Sequence, residues 1–211
     1  MNFTNILKQI LSDKVRIAIY QHLSVHPEGI TGRALGTLVG TSPFKINREL
    51  RHLVAQGIIT ETVVGRAHLY RLQREHILVQ QLILPMLDFE RTCIEKLGST
   101  LSQRLTPPPL SIIVYGSVAR GEEGPQSDLD LLLVYAGAVT DPGRIAIVGD
   151  AVNEWLQRTY GNPVSFQRIS ITAFQHRAVQ RDPLIRSIIK EGRAIAGLTL
   201  TEVLDYGRTE I

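Results

Sequence analysis

Val114-Tyr115-Gly116-Ser117-Val118-Ala119-Arg120-Gly121-Glu122, followed shortly by Ser127-Asp128-Leu129-Asp130-Leu131, is the most informative passage in this 211-residue chain. The apolar run Leu110 to Tyr115 reads as a strand that ends at a glycine, and Asp128 to Val134 reads as a second strand. Side chains alternate along a strand, so Asp128 and Asp130 share one side while Leu129, Leu131 and Leu133 face the other, toward a core. Two like charges on one face repel each other, and a cation relieves that repulsion. A pair of carboxylates suits Mg²⁺, a hard ion that prefers oxygen ligands and keeps substrate phosphates in its shell. Gly116 lets the backbone approach a bound anion, and Ser117 can donate a hydrogen bond to it. Arg120 is near enough in sequence to meet a phosphate or to pair with an acid.

Taken together, Gly116-Ser117, the nearby Arg120-Gly121, a short spacer and Ser127-Asp128-Leu129-Asp130 resemble the minimal nucleotidyltransferases of the DNA polymerase beta-like superfamily. The resemblance spans about residues 108–197 and includes the closing turn Ile188-Ile189-Lys190-Glu191-Gly192. It implies a mixed sheet flanked by helices. It also implies catalytic and metal-binding roles for Asp128 and Asp130, and a nucleoside triphosphate held by Gly116, Ser117, Arg120 and Ser127. In that family two metals flank an in-line displacement at the α-phosphate. One feature departs from the pattern. Active members carry a third carboxylate on a later strand, and the matching run here, Pro163 to Ile169, offers Ser165 and then Gln167. Asp150 and Glu154, on the preceding helix, are poor substitutes. Loss of a positioned base costs about 10²–10⁴ in rate, whereas metal and nucleotide binding can survive it.

Upstream, three helices and a hairpin are expected. Residues 12–24 open with an N-cap and place Val15, Ala18, Ile19 and Leu23 on one face. Thr31 caps a second short helix that ends at Gly40. Ser42 caps a third, with Pro43 at its first position and Gly57 beyond its end. Two β-rich runs then flank Gly65-Arg66, which reads as a hairpin. This order resembles the winged helix-turn-helix regulators over roughly residues 10–74. The resemblance implies a recognition helix, Ser42 to Ala55, entering the major groove of double-stranded DNA, with the hairpin as wing. Lys45, Asn47, Arg48, Arg51 and Arg66 are the candidate DNA contacts. Arg and Asn can address base edges, while Lys and the wing Arg suit phosphate. Phe44, Ile46, Leu50, Leu53 and Val54 are expected to hold the core. Charge agrees with a polyanion partner: residues 1–74 carry ten Lys/Arg against four Asp/Glu, and the remainder thirteen against sixteen. A protein-binding winged helix with a solvated basic face is the rival reading.

Between these parts, Leu82, Met86, Phe89, Cys93, Leu97 and Leu101 recur at helical spacing, with Pro85 expected to kink the segment or start a new helix. The stripe suits a homodimer seam or packing onto the chain's own domains, and its length does not decide between them. Thr106-Pro107-Pro108-Pro109 marks a boundary. The expected division is a winged helix over 1–74, linker helices over 75–106 and a nucleotidyltransferase-like domain over 107–211, of α/β (α+β) class. A single cysteine excludes a disulfide framework, and no apolar run approaches the ~20 residues of a membrane span. A cytoplasmic protein without membrane partners is therefore expected. Its function is read as a DNA-binding transcriptional regulator carrying a domain that binds Mg–nucleoside triphosphate. The alternative is an enzyme that moves a nucleoside monophosphate onto a protein or small-molecule hydroxyl, antitoxin-like.

Overall fold

The computed structural model describes residues 5–124, 127–137 and 142–207; the side chains of Gln9 and of residues 142–150 lie outside that description. The chain divides into two compact units, Met1–Arg91 and Thr92–Ile211.

In the first unit, α1 (Ile6–Leu11), α2 (Lys14–Ser24), β1 (Ile30–Thr31), α3 (Gly32–Val39) and α4 (Pro43–Ala55) precede the hairpin β2 (Ile59–Val64) and β3 (Ala67–Leu72). The expected caps are made. Asp13 Oδ1 accepts from Val15 N at 2.8 Å, Thr31 Oγ1 from Ala34 N at 3.2 Å and Ser42 Oγ from Lys45 N at 3.3 Å, each satisfying an amide the first helical turn leaves open. The strands form an antiparallel sheet in the order β1-β3-β2. Ile19, Leu23, Leu35, Ile46, Leu50 and Leu53 fill the core. This is the winged helix-turn-helix arrangement, with β2–β3 as the wing.

One core assignment is corrected. Phe44, expected inside, is 74% exposed. At about 100° per residue, Ile46, Leu50 and Leu53 fall within one narrow arc of α4, and Phe44 stands roughly 150° away from its centre. Apolar character alone had suggested burial; the helical period places the ring outside.

Pro85 has no N–H to offer the carbonyl one turn earlier. A five-residue π-turn, Val79–Ile83, precedes it and leads into α5 (Leu84–Arg104), the kind of local unwinding such a lost bond produces. Val79, Ile83 and Leu87 are buried in the core of the first unit, whereas Leu97 and Leu101 are buried in the second. Phe89 is exposed.

The second unit is built on a four-stranded sheet in the order β6-β5-β4-β7. Its elements are β4 (Ser111–Tyr115), α6 (Gly116–Arg120), β5 (Leu129–Tyr135), α7 (Pro142–Tyr160), β6 (Val164–Ser170), α8 (Ile171–Val179), α9 (Pro183–Glu191), β7 (Arg193–Gly197) and α10 (Leu200–Asp205). Strands β4–β5 and β4–β7 pair antiparallel, while β5–β6 is parallel and therefore needs the α7 crossover. Leu129, Leu131 and Leu133 face a core shared with Leu101 of α5 and Leu156 of α7. Leu132 and Val134 face the opposite layer, with Phe174 of α8, Ile185 and Ile188 of α9 and Val203 of α10. Strand β5 is thus covered on both faces and reads as a nearly continuous apolar run. Asp130 is the one acid that interrupts it.

Candidate functional site

Asp128 lies just before β5 and Asp130 is its second residue. Burial, and then the neighbouring Asp128 charge, push the Asp130 carboxyl above the usual carboxylate range. Both causes penalise the ionised form, and both would be offset by a bound cation. Tyr115 is the cross-strand partner of Asp130 on β4, and burial together with the Asp130 charge raises its phenol as well. The tyrosine adjoins Gly116-Ser117 in sequence, yet only the register reveals that it stands beside the acid.

Gly116 closes the site from the next turn. Its φ of +72° lies in the left-handed region, and a Cβ built there would collide with Asp130 Oδ2. A glycine is needed both for the turn and for the space over the carboxylate. Gly116, Asp128 and Asp130 are therefore brought together, with half-buried Ser117 following in α6.

On the other side of β5, Ser165 of β6 is the register partner of Asp130, and Gln167 is that of Leu132. Both are exposed. The strand position beside Asp130 thus carries a hydroxyl and no carboxylate. Glu154 pairs with Arg158 at 2.9 Å within α7, and the Asp150 side chain lies outside the described residues. Among the described residues, no group of three or more His, Cys, Asp or Glu could hold a metal ion. The donor set present is two carboxylates beside a glycine cradle. That set fits a hard divalent cation that takes its remaining ligands from phosphate and water.

Two other candidates are engaged locally. Arg120 donates from Nε to Glu122 Oε2 at 2.7 Å and from Nη1 to Glu191 Oε2 at 3.1 Å; these two acids, Glu122 first, raise its already high pKa. Ser127 Oγ accepts from Gly124 N at 2.8 Å, and its carbonyl accepts from Asn162 Nδ2 at 3.0 Å, so it ties down the loop that delivers Asp128.

In the first unit, α4 presents Phe44, Asn47, Arg48 and Arg51 outward, all exposed. Arg66 is exposed at the β2–β3 turn. Lys45 sits off this stripe and pairs with Asp13 at 3.2 Å. Glu49, the helix's one acid, is 3% exposed. Its carboxylate accepts from Arg16 Nε at 2.6 Å and from Arg48 Nη2 at 3.0 Å. Burial opposes ionisation of Glu49, but the Arg16 and Arg48 hydrogen bonds outweigh it and hold the carboxyl below its ordinary value. Arg48 is thereby anchored at one end, and the one acid of α4 is turned inward rather than set on the basic face.

No helix among the described residues is long and apolar enough to cross a membrane. Three of the solved structures similar to this chain are the following. One is the "predicted DNA-binding transcriptional regulator from E. coli", 23% identical over 39% of this chain and 83% of that one, with a TM-score of 0.35. Another is the AntR antimony-specific transcriptional repressor, 22% identical over 44% and 78%, TM-score 0.36. The third is a toxin–antitoxin with AMP-PNP, 17% identical over 52% and 77%, TM-score 0.37. No match is found among curated proteins. The nucleotidyltransferase domain family matches residues 94–195 of this chain, a segment that contains the glycine-serine turn, both aspartates and Ser165.

Proposed function

We propose that this protein is a DNA-binding transcriptional regulator whose nucleotidyltransferase domain binds a Mg–nucleoside triphosphate, with nucleotide occupancy altering DNA affinity. The observation that carries the nucleotide half is the fit of Gly116 over Asp130, with the Asp128 charge beside it. Asp128 and Asp130 would hold the ion. Gly116 and Ser117 would face the phosphates. Arg120 and Ser127 would complete the phosphate contacts, Arg120 after releasing Glu122 and Glu191. The metal would neutralise phosphate charge. Ser165 beside Asp130 supports binding ahead of rapid transfer, because a serine at neutral pH neither takes a proton from an attacking hydroxyl nor adds charge to the metal.

The DNA half rests on the outward stripe of α4 with Arg66 at the wing, on a net-basic stretch. Its affinity should fall steeply with salt, since each phosphate neutralised releases counterions. A second half-site contacted by a second copy would double that slope.

Isothermal calorimetry with Mg²⁺ and each nucleoside triphosphate tests the nucleotide half. Saturable binding that Asp128→Ala removes is expected, and no heat at millimolar ligand would refute it. Incubation with α-labelled ATP and candidate protein or small hydroxyl acceptors separates the two activities. Binding without label transfer fits the regulator. Transfer that Asp128→Ala abolishes identifies an enzyme acting on a hydroxyl acceptor.

A further inference from the structure

We infer that Phe44 is a thymine-reading residue, its ring packing on the C5-methyl group of a thymine in the major groove; this rests on the DNA-binding reading above. Phe44 is 74% exposed, as much as any large apolar side chain among the described residues. Its position on α4 decides what it serves. Phe44, Asn47, Arg48 and Arg51 follow the i, i+3, i+4, i+7 spacing that lines up side chains on one helical face, and all four are exposed. The ring therefore lies in the same outward stripe as the candidate base and phosphate contacts. It is also in the first turn of the helix, after the Ser42 cap and Pro43, the part of a recognition helix that reaches base edges.

The neighbours favour nucleic acid over a protein groove. A helix that docks into an apolar groove repeats apolar anchors at i+3, i+4 and i+7. Here those places hold an amide and two guanidinium groups. A single apolar ring inside a basic, hydrogen-bonding face matches DNA, where the thymine methyl is the one apolar feature of the major-groove floor. Asn47, one turn on, suits an adenine edge. The two together call for neighbouring A·T pairs under the start of α4.

The test uses the full chain. Duplexes are selected from a random pool, and binding of the enriched site is measured by fluorescence anisotropy. Each thymine of that site is then replaced in turn by deoxyuridine, which removes only the methyl group. One replacement should weaken binding by the wild type about fourfold, the worth of one buried methyl-sized group. Phe44→Ala should bind the thymine and uracil sites alike, and Phe44→Leu should restore part of the difference. Circular dichroism checks that both variants fold. If every uracil substitution is silent in the wild type, or Phe44→Ala keeps the full penalty, the inference is overturned and the ring belongs to a protein contact. If no sequence is enriched and retention is independent of salt, the DNA-binding reading falls, and this inference with it.

Discussion

Gly116→Ala and Gly121→Ala make a matched pair of perturbations. Both glycines have φ near +70°, at +72° and +66°, so an alanine at either costs roughly 1–2 kcal/mol of backbone strain. They differ in what the new methyl group meets. At Gly121 nothing lies within 4 Å, whereas at Gly116 the methyl collides with Asp130 Oδ2. That oxygen is the far end of a side chain, so it can swing aside at little steric cost. Swinging aside takes it out of the cradle. The two variants should therefore lose similar stability, about 4–8 °C in Tm for a unit of this size. Their ligand responses should diverge. A nucleotide at one hundred times its Kd adds about 2.7 kcal/mol to a folded protein that binds it, or roughly 11 °C by the same conversion. Gly121→Ala should keep that Mg–ATP shift, and Gly116→Ala should lose most of it. Trp155 is the only tryptophan in the sequence and lies in the second unit, against Arg104 at 4.2 Å, so its fluorescence reports that unit's unfolding alone. An undiminished shift in Gly116→Ala, or an equal loss in both variants, would refute the role given to the Gly116–Asp130 approach.

Three further outcomes are expected. Glu49→Gln removes the carboxylate that Arg16 meets at 2.6 Å in a nearly buried setting and should cost about 3–5 kcal/mol in urea unfolding of the first unit. Because the folded Glu49 carboxyl lies below its ordinary value near 4.5, the wild-type pair contributes fully above that pH and loses its contribution as pH falls through the depressed value; the stability difference between wild type and variant should shrink along that descent, and a pH-independent difference would contradict it. Arg66→Ala should lower the slope of log affinity against log salt by about 0.9 on duplex DNA while leaving base preference intact; an unchanged slope would remove the wing from the interface. Ser165→Asp places a third carboxylate beside Asp130; it should tighten Mg²⁺ binding and raise nucleotidyl transfer by about 10²-fold or more if the missing base is the only deficit, and unchanged Mg²⁺ affinity would show that this face of β6 does not reach the metal.

The caps and turns were legible because each is a local event. Thr31 and Ser42 were readable as caps, and a cap was expected at the opening of residues 12–24 where Asp13 makes it, since a side chain three residues or fewer from an open amide needs no tertiary information. The paired aspartates were legible as a local pattern, but the strand expected from Asp128 begins at Leu129, so Asp128 stands just before β5 and strand alternation does not govern it. Strand β7 was not legible: Arg193-Ala194-Ile195-Ala196-Gly197 lacks a strong β pattern, and it becomes a strand because β4 offers it an open edge. Helix α10 carries a local signal, the reciprocal Thr199–Glu202 capping box. Tyr115 as a neighbour of Asp130, and Glu191 as the partner of Arg120, depend on register and on contacts 71 residues apart, information no local window holds. Phe44 is the instructive failure. Counting apolar residues put it inside, and applying the helical period to the same residues puts it out.

The physics of Asp130 links the site to the stability of its own unit. Folding places this carboxylate in a partly buried strand beside a second negative charge, and both effects raise its pKa, so the ionised, metal-free unit carries an electrostatic cost that a cation would return. A third carboxylate at position 165 would deepen that cost, because its charge would stand in register with Asp130 on the adjacent strand. Serine there keeps the metal-free fold less burdened, at the expense of the charge and the base that fast transfer requires. On the proposed reading, that exchange suits a domain that must persist both with and without its nucleotide. A sensor needs two stable states separated by a modest free energy, since a ligand shifts an equilibrium only by its differential affinity for them. An enzyme of this fold needs only the metal-bound state to be competent. The stability gap between metal-free and Mg–nucleotide forms, small in the wild type and widened in Ser165→Asp, is therefore the quantity that separates a nucleotide-responsive regulator from a catalyst built on the same strands.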